Sequence, residues 1–189
     1  MRILCKRIRL RAFLMYLFAA ALVLSARPTA ASMAAGLAVI AAGEVLRLWA
    51  TGYLHKTESL TVAGPYAYVR HPLYLGSLLI GTGFALITHT ALGYALWVAG
   101  MVGYFAYYLP YKSRIEGARL EALFGDDYRR YTAAVPEIFP RLHPYVPLCG
   151  HAEGGARWTG VRFEGNHETG VALAVGVGVS AMLLRWATL

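Results

Sequence analysis

Apolar and polar positions along this chain fall into long blocks. Five apolar runs stand out: Ala12 to Ala26, Thr29 to Leu54, Leu73 to Thr88, Ala91 to Leu109 and Gly170 to Trp186. Crossing a hydrocarbon core of about 30 Å takes roughly 20 helical residues, so the pattern predicts an all-α integral membrane protein with about five transmembrane helices. It also predicts one membrane domain over residues 1–189. Two N-terminal spans occupy 1–54, a core in 55–141 is built round a helical hairpin at 73–109, and a loop with a C-terminal span fills 142–189.

The first run has two readings. Basic residues precede it and small residues surround Ala26 and Ala31, as in a cleavable signal peptide. Because further spans follow, a retained first helix that serves as its own signal is preferred. The second run carries Glu44 and Arg47 three residues apart, hence on one helix face. Such a pair near a membrane end faces the bundle interior, either as an internal ion pair or as a substrate contact.

His89-Thr90 separates the third and fourth runs by so short a turn that they must form a hairpin. Gly76, Gly81, Gly83, Gly93, Gly100 and Gly103 would let these helices approach closely. The fourth run is predicted to stop at Pro110. Beyond it, Arg114 to Phe124 reads as an amphipathic helix closed by Gly125, and Tyr128 and Tyr131 share a face of the next helix.

Composition agrees. The chain is 58% hydrophobic and only 15% charged, with a mean hydropathy of +0.48, which sets it apart from soluble domains. A net charge of +8 fits cytoplasmic loops beside anionic lipid, so no nucleic-acid partner is expected. Segment 1–11 holds five basic residues, loop 55–70 holds Lys56 and Arg70, and 111–165 holds eight. Five helices with a cytoplasmic N-terminus put all three segments on one side of a plasma or inner membrane. Cys5 and Cys149, and His55, His143, His151 and His167, lack ligand spacing, so no metal is expected.

The chemistry gathers in AGPYAYVRHPLYLG, where Arg70 and His71 precede an apolar helix amid Tyr66, Tyr68 and Tyr74. A helix N-terminus attracts a carboxylate, Arg70 could clamp it in a fork, and aromatic faces could hold a cation or an adenine. An interfacial tyrosine belt with an anchoring arginine explains the same residues.

GPYAYVRHPLYLG, followed after the hairpin by RIEGARLEALFGDDYRRYTAAVPEIFP, closely resembles the isoprenylcysteine carboxyl methyltransferase and phospholipid methyltransferase family of membrane enzymes. The first segment matches the family's GPYxYxRHPxYxG pattern. The second matches its glutamate-led helix, FG, paired tyrosines and VPxxxP. The resemblance covers about Leu60 to Pro140.

It implies S-adenosylmethionine held near the cytosolic face by the 55–74 and 111–141 segments, and a lipophilic acceptor arriving from the bilayer. By position, Tyr66, His71, Pro72 and Tyr74 would contact the cofactor, Leu60, Thr61 and Val62 would line its pocket, and Glu116 would meet its ammonium or ribose. Gly117 stands where the family has a second glutamate. Lys112 takes the place of an acceptor-facing arginine, and Arg114 could substitute for it. Lys112, Arg114 and Arg70 are thus the candidates for positioning an anionic acceptor.

The reading is methyl transfer from S-adenosylmethionine to a membrane-embedded acceptor, by carboxyl O-methylation of an isoprenylcysteine-like group or N-methylation of a phospholipid amine. An NADPH-dependent sterol-type reductase and a non-catalytic adaptor for anionic lipid are the alternatives.

Overall fold

The computed structural model describes residues 18–54, 59–147, 158–160 and 168–189. The expectations for Cys5, His55, Lys56, Cys149, His151, His167 and the start of the first run lie outside them. Among the described residues the main helices are, in order, α1 (18–25), α2 (Ala30–Thr51), α3 (Pro72–Thr88), α4 (Ala91–Gly103), α5 (Leu109–Ala134) and α6 (Glu168–Ala187). A 3-10 turn, Gly64–Ala67, precedes α3, and a π turn, Tyr104–Tyr108, joins α4 to α5.

This is an all-α membrane fold. Among the described residues three helical stretches are long and apolar enough to cross a bilayer: α2, the continuous α4–α5 stretch, and α6; α3 is shorter at 17 residues. Local chemistry sets the ends. Thr29 and Ser32 close a capping box at the start of α2, and Thr90 caps α4 by accepting from the Gly93 amide. Between α3 and α4, His89 takes the left-handed conformation (φ 48°), so the two residues His89-Thr90 suffice for the hairpin.

Glycines let α2 and α3 pack backbone to backbone. A Cβ on Gly43 would lie 2.7 Å from the Gly76 carbonyl, and one on Gly36 2.5 Å from that of Gly83. Contacts that pair 36 with 83 and 43 with 76 make the two helices antiparallel. At one end, Ala26, Met33, Ile40, Ile87 and Met182 form a buried cluster that brings in α6. At the other, α6 is tied in by a salt bridge of 2.6 Å between Glu168 and Arg47. Arg47 therefore does not pair with Glu44, as its helix spacing suggested; the Glu44 Oε1 is buried and unpartnered. Glu168 approaches from another helix and leaves the guanidinium free to reach α3 as well.

Pro110 does not end the fourth helix. A proline lacks an amide hydrogen and clashes with the carbonyl four residues back. The π turn just before it, in which the Leu109 amide reaches the Tyr104 carbonyl, shifts the carbonyls by one position and lets the helix run on. The real break comes at Gly125 (φ 51°, ψ −121°), where α5 kinks, at the position the sequence marks.

Candidate active site

Two polar segments distant in sequence are knitted together by backbone hydrogen bonds. The amides of Arg70 and His71 donate to the carbonyls of Pro136 (2.8 Å) and Glu137 (3.1 Å). Those of Arg141 and Tyr145 donate to the carbonyls of Tyr68 (3.0 Å) and Ala67 (2.8 Å). The Tyr131 hydroxyl donates to the Tyr66 carbonyl at 2.8 Å. Beneath this seam Leu60, Val62, Tyr131 and Val135 form a second buried cluster, while Thr61 is only half-buried.

Pro72 opens α3 from the first-turn position, where its missing amide hydrogen costs nothing. That start places Tyr74 one turn above His71, with the rings stacked at 5.0 Å. The Tyr74 hydroxyl donates to Glu116 Oε1 at 2.8 Å, joining α3 to α5. Lys112 lies one helical turn away, its Nζ 3.8 Å from the same oxygen. The Glu116 side chain keeps 39% of its surface exposed, so this carboxylate is aimed by Tyr74 without being sealed.

Burial pushes the His71 imidazole below its ordinary value; Glu116 pulls it back up and Arg70 pushes it further down. His71 is therefore neutral at physiological pH. Burial likewise raises the Tyr66 phenol, keeping it a hydroxyl.

His71, Tyr74, Glu116 and Lys112 thus form one chain of contacts at the α3–α5 junction, while Pro72 is buried at the start of α3 and Tyr66 is buried on the Tyr131 side of the seam. Leu60 and Val62 sit behind it, packed on Tyr131 and Val135. Arg70 turns to Glu137, 3.3 Å away, whose Oε1 also accepts from Ser113 Oγ at 2.7 Å. Arg114 is exposed. Two residue sets escaped the sequence reading. Glu137 lies inside VPEIFP, and its signal was an acidic residue in a motif otherwise apolar. Tyr108, whose ring meets Tyr74 edge-on at 6.0 Å, and Tyr104, 5.4 Å from Tyr108, needed the π turn, which residue spacing does not reveal. Among the described residues no cluster of three or more histidine, cysteine or acidic side chains is arranged to hold a metal.

Residues 29–127 match the phospholipid methyltransferase family. The chain is 30% identical over 126 residues to the cobalt-zinc-cadmium resistance protein CzcN of Cupriavidus metallidurans, covering 66% of this chain and 53% of that protein. It is 32% identical over 118 residues to the nickel-cobalt-cadmium resistance protein NccN of Alcaligenes xylosoxydans xylosoxydans (60% and 52%). It is also 32% identical over 105 residues to the protein-S-isoprenylcysteine O-methyltransferase of Schizosaccharomyces pombe (56% and 43%). The chain spans about half the length of the curated relatives it matches. No solved structure matches it.

Proposed function

The chain belongs to the phospholipid methyltransferase family, and on that premise we propose that it transfers a methyl group from S-adenosylmethionine to a lipophilic acceptor within the membrane. The observation that carries this reading is the Tyr74–Glu116 hydrogen bond of 2.8 Å, which joins two motifs 42 residues apart.

The residues present fit that donor. Glu116 offers a partly exposed carboxylate for an ammonium group or a ribose. The neutral ring of His71, stacked on Tyr74, offers an aromatic face without a competing charge. Leu60 and Val62 give the site a rigid apolar back, and the amide-to-carbonyl seam from Ala67 to His71 fixes the chain that carries Tyr66, His71 and Pro72. S-adenosylmethionine, when bound, supplies a methyl group already activated by its sulfonium. The chain's own task is then to aim an acceptor and exclude water, at an effective molarity that positioning alone can make large.

A carboxylate acceptor arrives ready to react and would be steered by Lys112, with Arg114 nearby on α5. An amine acceptor has to lose a proton first. The basic segments on one side of the helices favour a cytoplasmic active site, with residues 1–189 acting as a single membrane domain.

The test is thermal stabilisation of the detergent-purified protein by S-adenosylmethionine and S-adenosylhomocysteine, with NADPH as control. A rise in Tm with the first two, lost in Glu116→Ala, supports the proposal, because only a ligand of the native state raises Tm. A rise with NADPH alone overturns it in favour of a reductase. No rise with any of the three favours a non-catalytic adaptor.

A further inference from the structure

Beyond its break at Gly125, α5 folds back along its own first half. Arg129 returns to Glu121 at 2.7 Å, and a Cβ on Gly117 would meet the Tyr128 hydroxyl at 3.2 Å. Glu137, just past the helix, accepts from Ser113 at 2.7 Å. These pairs step antiparallel. Residue 137 therefore comes back to the level of Ser113, beside the Lys112–Glu116 turn and the first turn of α3. That level carries the marks of a membrane boundary. Tyr107 and Tyr111 stack on one another at 6.1 Å and are both exposed. On α2, the exposed Trp49 lies two residues from Arg47, whose guanidinium reaches the Leu73 carbonyl. Tyr and Trp, apolar in body and polar at the tip, gather where hydrocarbon meets water.

At this level runs the segment 138–147. Ile138 is buried, but Phe139, Leu142 and Val146 are 78%, 91% and 73% exposed. The backbone that carries them is pinned and cannot turn them inward. Carbonyls of Tyr68 and Ala67 hold the amides of Arg141 and Tyr145, and the Arg141 guanidinium donates to the Ala134 carbonyl at 3.0 Å. Pro140, Pro144 and Pro147 restrict the chain between these points. The segment also carries Arg141 and His143 and no acidic residue. Apolar tips set among basic groups, at the depth of an aromatic belt, complement an anionic leaflet.

We propose that residues 138–147 are an interfacial wedge, whose Phe139, Leu142 and Val146 side chains insert into the bilayer leaflet at the α3 start. The occupant of this face is lipid. Insertion is shallow, because irregular backbone cannot leave its polar groups unsatisfied in hydrocarbon; only the side chains enter. Hydrogen bonds from the wedge to residues 67–71 tie it to the segment that carries His71. The wedge thereby fixes that segment against the bilayer surface. This inference stands apart from the methyltransferase reading and needs no bound donor.

The experiment uses the full chain in nanodiscs of phosphatidylcholine and phosphatidylglycerol, with Cys5 and Cys149 replaced by serine. A nitrobenzoxadiazole label is placed on Phe139→Cys, Leu142→Cys or Val146→Cys. Asp126→Cys, at the charged tip of α5, reports water, and Val98→Cys, exposed on α4, reports hydrocarbon. The expected emission at 139, 142 and 146 is blue-shifted from that at 126. It is quenched more by lipid spin-labelled near the headgroup than by lipid labelled near the acyl-chain end, the reverse of the order at 98. On the unmodified chain, lipid bearing a diazirine near its headgroup labels the 136–147 segment, read by mass spectrometry. Emission at all three positions like that at 126, with no quenching by spin-labelled lipid, overturns the proposal and leaves the face to a soluble partner. A blue shift that needs two chains per disc and escapes both quenchers also overturns it, by assigning the face to a second copy. Absence of lipid label on the unmodified segment overturns it independently of any substitution.

Discussion

Arg47 on α2 and Glu168 on α6 form a buried ion pair at 2.6 Å, with both side chains about nine-tenths shielded. The same guanidinium donates to the Leu73 carbonyl at 3.0 Å and to Ser77 Oγ at 2.7 Å. One arginine therefore fixes the start of α6 and the first turns of α3, the helix that carries Tyr74. Its remaining Nε is buried and unpartnered. The aliphatic stem crosses Gly76, where a Cβ would come within 2.5 Å of Arg47 Cγ. The glycine leaves the path by which the arginine reaches α3. The matched family region ends at residue 127, so this pair anchors a helix beyond it to the segment that bears the candidate site.

Removing one member of such a pair strands the other charge. Glu168→Gln and Arg47→Met are each expected to destabilise the protein by about 3–5 kcal/mol, whereas a double replacement by apolar residues of matching volume recovers most of the loss. Thermal melts of the two single variants and of Arg47→Met/Glu168→Leu check this. A double variant as unstable as the sum of the singles would mean that the hydrogen bonds to α3, and not the charges, carry the effect.

At the α3–α5 junction, Tyr74→Phe deletes only the hydroxyl that aims Glu116. A hydrogen bond to a charged group contributes about 1.5–3 kcal/mol, and partial exposure of this carboxylate reduces that. S-adenosylhomocysteine affinity should therefore drop about three- to tenfold in Tyr74→Phe, and further in Glu116→Ala. Isothermal titration distinguishes the two. Equal affinity in Tyr74→Phe and wild type would show that the carboxylate needs no positioning.

His71 gives a pH dependence with a definite sign. Its native imidazole is depressed below the ordinary value of about 6.5 by burial, with Arg70 adding to the effect and Glu116 and Glu137 opposing it. The unfolded chain thus takes up the proton first as pH falls. Stability is complete above about 6.5 and declines as pH drops from there toward the lower native value, with a slope of at most about 1.4 kcal/mol per pH unit. Melting the wild type and His71→Gln between pH 7.5 and about 5 tests it; the variant should lose this part of the slope.

Most of the architecture is readable in the sequence because membrane helices declare themselves by run length, a one-dimensional property. The His89-Thr90 hairpin, the α3 start at Pro72 and the break at Gly125 all coincide with local signals. Contacts between helices are different. Glu44 and Arg47 share a face by spacing, yet Arg47 takes Glu168, 121 residues away, as its partner, and no periodicity encodes that choice. Pro110 carries a stop signal that the π turn overrides. The candidate site was legible only as far as the two motifs reach: their residues meet as Tyr74 and Glu116 do. The contacts of Glu137 with Arg70 and Ser113, and of Tyr108 with Tyr74, emerge only when α4, α5 and the 136–145 segment are folded together.

Close packing of α2 on α3 predicts sensitivity to a single methyl group. At Gly43 the added carbon would lie 2.7 Å from the Gly76 carbonyl and 2.8 Å from Ile80 Cγ1, and backbone cannot swing aside as a side-chain tip can. Gly43→Ala is expected to lower stability by about 1–3 kcal/mol, the usual cost of overpacking. Gly100→Ala, at a position with nothing within 4 Å, should be neutral or slightly stabilising. Parallel melts of the two variants test the contrast, and equal effects would show that the helices separate without penalty.

Gly117 stands where the family resemblance calls for a second glutamate, and its surroundings set what a side chain there would do. A Cβ would meet only the Tyr128 hydroxyl, at 3.2 Å, the far end of a side chain that can yield by a few tenths of an ångström. Glycine within a helix costs about 0.8–1.0 kcal/mol relative to alanine. Gly117→Ala is therefore expected to stabilise the protein by up to about 1 kcal/mol, slightly less than the propensity gain because Tyr128 must shift. Since Glu116 takes its aim from Tyr74 on α3 and not from residue 117, S-adenosylhomocysteine affinity should stay within twofold of wild type. Melting and titration of the same sample report both quantities. A stable variant whose affinity falls more than fivefold would show that the space beside Glu116 is occupied by the bound ligand, and that the absent carboxylate marks a widened site.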